Sequence, residues 1–216
     1  TLQFRSINID LIYGLPRQTP ENFAHTVDEV INLQPDRLSV FNYAHLPERF
    51  MPQRRINSDE LPTPAQKLEM LQRTIEQLTA AGYRYIGMDH FALPDDELAI
   101  AQEDSTLQRN FQGYTTHGHC DLIGLGVSAI SQIGDLYCQN TSDLAQYQNT
   151  LATAQLATSR GLVCNADDRL RRAVIQQLIC NFSLEFVEIE TASTVVFPLH
   201  YTHLRHHVLP IADDGL

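Results

Sequence analysis

Across its first ninety residues the chain reads strand, helix, strand, helix, strand, and this alternation limits the possible folds more than any other feature. The opening stretch, NIDLIYGLP (Asn8 to Pro16), has period two: Ile7, Ile9, Leu11 and Tyr13 fall on one side, and Asn8, Asp10, Ile12 and Gly14 on the other. The next stretch changes to a helical period, with Thr19 as N-cap, Pro20 at the first helical position, Glu21 near the positive end of the dipole, and Phe23, Val27, Val30 and Ile31 on one stripe. RLSVFNY (Arg37 to Tyr43) reads as the second strand. After a polar loop from Ala44 to Pro62, Thr63, Pro64 and Gln66 form a capping box, Leu68, Leu71, Ile75 and Leu78 form the expected buried stripe, and Gly82 ends the helix. YRYIGM (Tyr83 to Met88) is the third strand. Such a series predicts a parallel sheet with right-handed crossovers, its site built by the loops leaving the carboxyl ends of the strands: Tyr13 to Gln18, the loop opening at Ala44, and the one at Asp89.

Beyond residue 90 the alternation fades. A short helix is expected near Asp95 to Gln102, followed by a glycine- and hydroxyl-rich stretch with no clear period. Helices are expected over Asp143 to Ser159 and Asp167 to Phe182, the second with Leu170, Val174, Ile175 and Leu178 on one face, and again over the tail from Val195 to Val208. The division expected is an α/β domain over residues 1–135 and a mostly helical region over 136–216. With 43% hydrophobic residues the chain can bury a real core, and no apolar run approaches the roughly 18 residues of a membrane span. No stretch looks like a signal peptide, so a cytoplasmic location is expected. The net charge of −11 argues against binding to nucleic acid or an anionic membrane. Four cysteines at wide, irregular gaps read as reduced thiols. A start at Thr1 and a stop at IADDGL suggest a piece of a longer protein.

Asp10 is the most pointed candidate. A central parallel strand is normally apolar on both faces, and a buried carboxylate without a partner costs several kcal/mol or is forced to protonate. Asn8 lies beside it on the same face, and two readings follow: a structural hydrogen-bond network under the barrel, or a polar cofactor lying in an open barrel. GLGVSA (Gly124 to Ala129) fits G-x-G-x-x-A, but it lacks a convincing strand before it and a helix after it. A glycine-rich turn bringing backbone close to a ligand or neighbouring strand suits it better. Ser128 lacks the closing glycine of a hydrolase elbow. His117, His119 and Cys120 offer three zinc-type ligands without a fourth, and His200, His203, His206 and His207 read as polar surface. Asp89 and His90 are adjacent, so on a continuing strand they face opposite sides.

Several longer words carry a family resemblance: NIDLIYGLPRQTPENF, PDRLSVFNYAHLP, GYRYIGMDHFALPDDELA, RNFQGYTT, DLIGLGVSAIS and RRAVIQQLICNF. They resemble the oxygen-independent coproporphyrinogen III oxidases, radical S-adenosylmethionine (SAM) enzymes of haem biosynthesis, from about Ser6 to Phe182. The haem-chaperone-like branch reads differently at FNYAHLP, IGMDHFA and RNFQGY, where the oxidase wording stands here. The resemblance implies part of a (β/α)6 barrel and oxidative decarboxylation of two propionates of coproporphyrinogen III to vinyls through a 5′-deoxyadenosyl radical. It also implies SAM and a [4Fe–4S] cluster as cofactors, an external electron donor, and a monomeric whole enzyme. Asp10, Ala44 and Ile130, and by a weaker carry-over Gln112, match positions that line SAM in the family. The cluster's Cys-x3-Cys-x2-Cys loop is nowhere in the 216 residues, so the cluster is expected to be held upstream and this piece alone to be inactive. Arg17, Arg49, Arg54, Arg55 and Arg109, in or near strand-end loops, are candidates to meet the substrate's propionates.

Overall fold

The computed structural model describes residues 4–184, which form two compact units dividing between Leu107 and Gln108. In the first unit, β1 (Asn8–Tyr13) and β2 (Arg37–Asn42) pair in parallel, from Asn8 beside Arg37 to Tyr13 beside Asn42. The helices between strands, α1 (Pro20–Asn32) and α2 (Pro64–Ala80), start where the sequence indicates. Thr19 and Asn22, and Thr63 and Gln66, form reciprocal capping boxes, each with proline at the helix start. Gly82, at φ +91°, follows α2 and turns the chain back.

The third neighbour is not the expected parallel strand. β3 (Arg84–Gly87) reverses at once into β4 (His90–Ala92), and β4 inserts between β2 and β3, antiparallel to both, in the order β1-β2-β4-β3. Gly87 at φ +137° and Met88 at φ +50° make the reversal tight enough to need only two linking residues. A three-residue strand is too short to show a period, which is why YRYIGM and DHFA read as one strand and a loop.

One face of this sheet carries the core. Leu38, Val40 and Phe91 meet Phe23 and Val27 of α1 and Met70 and Leu78 of α2, with Tyr13 and Tyr83 also buried. Each fully buried large apolar side chain contributes about 1.5–3 kcal/mol. On α2 the buried stripe is Met70, Thr74 and Leu78, with Leu71 and Ile75 partly buried and Leu68 66% exposed. The helix is rotated from the expected face because Thr74 is tolerated inside: its hydroxyl donates to Met70 O at 2.7 Å. A third helix, α3 (Glu97–Glu103), is capped by Asp96, which also pairs with Arg37 Nε at 2.7 Å.

The second unit opens with a hairpin of β5 (Gln108–Asn110) and β6 (Gly113–Thr115). A three-stranded antiparallel sheet follows, β7 (Ile130–Ile133), β8 (Leu136–Asn140) and β9 (Thr158–Val163), with α4 (Leu144–Ala152) between its last two strands and α5 (Ala166–Asn181) after it. The boundary expected after residue 135 thus falls in the turn of the β7–β8 hairpin. The helix expected up to Ser159 stops at Ala152, and TSRGLV, whose six residues are all exposed, is an edge strand. Along α5 only Leu170 and Cys180 are buried; Ile175 and Leu178 of the expected stripe are exposed. The tail helix over Val195 to Val208 and the four histidines from His200 to His207 lie outside the described residues. No helix among the described residues is long and apolar enough to cross a membrane.

Candidate functional site

The face of the first sheet opposite α1 and α2 gathers the sequence's principal candidate. Asn8, Asp10 and Ile12 all lie on it and are all exposed. The parallel register sets Ser39 beside Asp10 and Phe41 beside Ile12, and the antiparallel one sets His90 beside Ser39. The Phe41 and His90 rings meet edge to face, 6.1 Å apart at 88°. Ile12 is 45% exposed and Phe41 37%, so the carboxylate stands on a surface that is partly apolar.

Asp10 itself corrects the sequence reading. It is exposed rather than buried, with Oδ1 accepting from Asn8 Nδ2 at 2.7 Å. A solvated carboxylate needs no ligand to be tolerated, so the desolvation argument for a cofactor does not hold in this chain. What stands is an anionic oxygen fixed by a neighbouring amide on an open sheet face, next to apolar side chains. That surface suits a molecule with a cationic or hydrogen-bond-donating group joined to an apolar or ring portion.

The loops at the carboxyl ends of β1 and β2 are tied together. Tyr43 N donates to Tyr13 O at 2.8 Å, and Lys67 Nζ reaches from α2 to Tyr43 O at 2.9 Å. Gly14, at φ +86°, lets that lysine pass: a Cβ there would lie 2.7 Å from Lys67 Cε. Ala44, the second residue singled out, is exposed, and Gln53 clamps its loop by donating to Ala44 O at 3.1 Å and accepting from Leu46 N at 2.5 Å. The far end of the loop returns to β1 through Arg17, whose guanidinium holds Glu60 with two bonds of 2.8 and 2.9 Å. The hydrogen bond from Arg17 keeps the Glu60 carboxyl below its ordinary range, and the bond to Glu60 raises Arg17. Arg17 is thus paired with Glu60 in an exposed ion pair. Arg54 Nε donates to Pro47 O at 3.0 Å, and the Arg49 guanidinium lies 5.7 Å from the centre of the Phe50 ring. Asp89 sits in the β3–β4 turn, its carbonyl accepting from Val40 N at 2.7 Å. Burial first, then the Asp89 charge, push the phenols of Tyr13 and Tyr85 above their ordinary range.

Gln112 and Ile130 belong to the second unit, so of the four candidates the structure groups Asp10 with Ala44 in one unit and these two in the other. Gln112 is exposed at the β5–β6 turn, its N–H donating to Asn110 Oδ1 at 2.8 Å. Ile130 is half-buried and opens β7. A Cβ on Gly124 would meet Ile130 O at 2.6 Å, so the glycine is required by close approach to a neighbouring strand, one of the two roles expected for this stretch. The glycine loop is held by Ser131 Oγ on Gly124 N at 3.0 Å, Tyr147 Oη on Gly126 N at 2.9 Å, and Asn140 Nδ2 on both Gly124 O and Gly126 O. It leads into a strand and not a helix, so it is not a dinucleotide-binding turn.

The His117 and His119 rings are 6.3 Å apart and Cys120 is exposed. No group of three or more His, Cys, Asp or Glu disposed to hold a metal ion occurs among the described residues. None of the four cysteines is in a disulfide; Cys120 is exposed, Cys138 half-buried, Cys164 and Cys180 buried, and they do not fit the ligand set of an iron–sulfur cluster. Burial pushes the Cys180 thiol up to about 11.

Sequence reasoning missed Phe41 and Lys67. The alternation in RLSVFN, read through a parallel register, puts Phe41 on the Asp10 face; nothing local marks Lys67, whose role depends on α2 crossing Gly14.

No protein-family model matches the chain. Over 216 residues, the whole of this chain and 47% of the relative, it is 74% identical to the oxygen-independent coproporphyrinogen III oxidase of Pseudomonas aeruginosa. It is 55% identical over 213 residues to the protein of the same name from Escherichia coli K12, covering 99% of this chain and 47% of that one. A solved structure of coproporphyrinogen III oxidase from Escherichia coli, described as a radical SAM enzyme, superposes with a TM-score of 0.91 at 55% identity over 99% of this chain and 49% of that one. The chain spans about half the length of these relatives.

Proposed function

The chain belongs to the oxygen-independent coproporphyrinogen III oxidase family, and from that premise we propose that it forms the SAM- and substrate-facing half of an enzyme converting coproporphyrinogen III to protoporphyrinogen IX. The whole enzyme acts in the cytoplasm as a monomer supplied by an external electron donor. The observation that carries this reading is the open face of the first sheet, where Asn8 fixes one oxygen of Asp10 and the paired Ile12 and Phe41 follow on the same face. SAM, with a [4Fe–4S] cluster, supplies the hydrogen-abstracting chemistry of that reaction. The cluster is held outside these residues, since the four thiols here do not converge. Asp10 accepts hydrogen bonds from the amine or hydroxyls of the bound SAM, and Ile12 and Phe41 shed water beneath it. Ala44, on a loop held by Gln53, offers a small side chain and its backbone to the same ligand. In the second unit, taken by itself, Ile130 on a strand that Gly124 keeps close and Gln112 at a hairpin tip are that unit's own candidates for contact with SAM.

The test is a chimera. This chain replaces the matching 47% of the Pseudomonas aeruginosa relative, and the purified protein is assayed without oxygen for conversion of coproporphyrinogen III in the presence of SAM and a reductant. Formation of protoporphyrinogen IX at a rate within about tenfold of the parent is expected. A folded, cluster-bearing chimera that binds haem tightly and never decarboxylates the substrate would refute the reading.

A further inference from the structure

Among the described residues, Arg109 on β5 has no carboxylate partner, and its buried Nε has no hydrogen-bond acceptor. The backbone around it is fixed: Arg109 N donates to Gln176 Oε1 at 2.9 Å, and Gln176 Nε2 donates back to Arg109 O. Its guanidinium lies 5.6 Å from the centre of the Tyr114 ring. A buried N–H without an acceptor is destabilising, and a structure this well braced around one marks a place where a ligand can supply the acceptor.

The surroundings supply the volume. Two cavities of the second unit, about 710 and 520 Å³, both have Arg109 and Arg172 in their walls. The larger adds Arg169 and the carboxylate of Asp121. Asp135 is spent on the other two arginines, 2.9 Å from Arg172 and 3.2 Å from Arg169. Around the larger cavity, three guanidiniums against the carboxylates of Asp121 and Asp135 leave one positive charge in excess, with Arg109 the arginine that has no carboxylate partner, in a chain whose net charge is −11. In the wall of the smaller cavity Arg171 is paired with Asp167 at 2.7 Å, the Asp168 carboxylate accepts from Asn165 N at 3.0 Å in the α5 capping box, and Phe111, Tyr137, Ile175 and Ile179 provide apolar wall. The Phe111 and Tyr137 rings meet edge to face at 5.6 Å.

We propose that these adjoining cavities bind a molecule carrying a carboxylate on an apolar body, the carboxylate held by Arg109 with Arg172 and the body resting on Phe111, Tyr137 and Ile175. A planar carboxylate matches the fork of a guanidinium and fills the vacancy at Nε, and the apolar wall favours a hydrocarbon or ring attached to it. Naming the occupant as a propionate-bearing tetrapyrrole rests on the function proposed above; the preference for a carboxylate rests on the cavity alone.

The experiment uses the 216-residue chain and three probes: octanoate, its neutral counterpart octanamide, and coproporphyrin III, the stable oxidised tetrapyrrole with four propionates. Binding of the first two is followed by amide NMR shifts of β5 and α5, and of the third by fluorescence titration. Octanoate is expected to bind at least about tenfold more tightly than octanamide, with Arg109→Gln abolishing the difference and Arg109→Lys keeping part of it. Equal binding of the two, or binding of neither, overturns the proposal, and this comparison needs no variant to fold. Coproporphyrin III is expected to bind with the same dependence on Arg109. If octanoate shows that dependence and coproporphyrin III does not bind, the carboxylate site stands and its assignment to a tetrapyrrole falls. Loss of turnover in the chimera with octanoate binding intact would refute the function without touching the site.

Discussion

Asp10→Asn separates a functional carboxylate from a structural one. The side chain is exposed and keeps its shape on substitution, and its bond with Asn8 survives through the new amide oxygen. Surface replacements of this kind change stability by about 0.5 kcal/mol or less. A hydrogen bond from a ligand to a charged acceptor is worth about 1.5–3 kcal/mol, and at about 1.4 kcal/mol per decade its weakening lowers affinity by roughly 10- to 100-fold. Asn8→Ala removes only the group that orients the carboxylate, so its effect is smaller, several-fold, in line with about 0.5–1.5 kcal/mol for one neutral bond. The assay is SAM binding by calorimetry to the chimera, alongside thermal unfolding of the 216-residue chain. Unchanged SAM affinity in Asp10→Asn would refute the assignment of Asp10 to the cofactor. A loss of more than about 2 kcal/mol in stability would refute the claim that the carboxylate is solvated and structurally idle.

Three further outcomes follow from the geometry. Gly124→Ala drives a methyl to 2.6 Å from Ile130 O, a backbone atom that cannot rotate away, so a loss of about 1–3 kcal/mol and faster amide exchange along β7 are expected in hydrogen-exchange mass spectrometry; unchanged exchange would contradict the close approach. Asp96 is 5% exposed and serves both as the α3 N-cap and as the partner of Arg37, which is 25% exposed, so Asp96→Ala should cost about 3–5 kcal/mol, while Asp96→Asn keeps the cap and should be about 1 kcal/mol milder in denaturant titration; equal effects would deny the cap a share. With its thiol pushed up to about 11, Cys180 is only about one part in a thousand thiolate at pH 8, so a disulfide reagent should modify exposed Cys120 first, and Cys180 should react in the native chain only as pH rises toward 11; early labelling of Cys180 at pH 8 would contradict its burial.

Local chemistry was legible because it is written in adjacent residues. The two capping boxes, the prolines at the helix starts, Gly82 after α2 and the face shared by Asn8, Asp10 and Ile12 each depend on a spacing of four residues or fewer, and the structure has them where the spacing requires. The family words carried the rest of the identification, since long specific strings survive where periodicity is too weak to assign an element.

Tertiary structure alone decided what lies next to what. Whether Asp10 is buried depends on what covers the second face of the sheet, and no local pattern states that: the carboxylate is exposed and accepts from its neighbour two residues away. The rotation of α2 toward Thr74, the insertion of β4 between β2 and β3, and the edge strand at TSRGLV all turn on partners distant in sequence. Arg109 makes the point most clearly, because its peptide is held by Gln176, 67 residues away, and the cavity around it draws on several elements of the second unit. Periodicity along a chain encodes which side of an element faces inward; the register, the charge balance and the open volumes arise only when elements far apart in sequence pack together, and those decide what the molecule can bind.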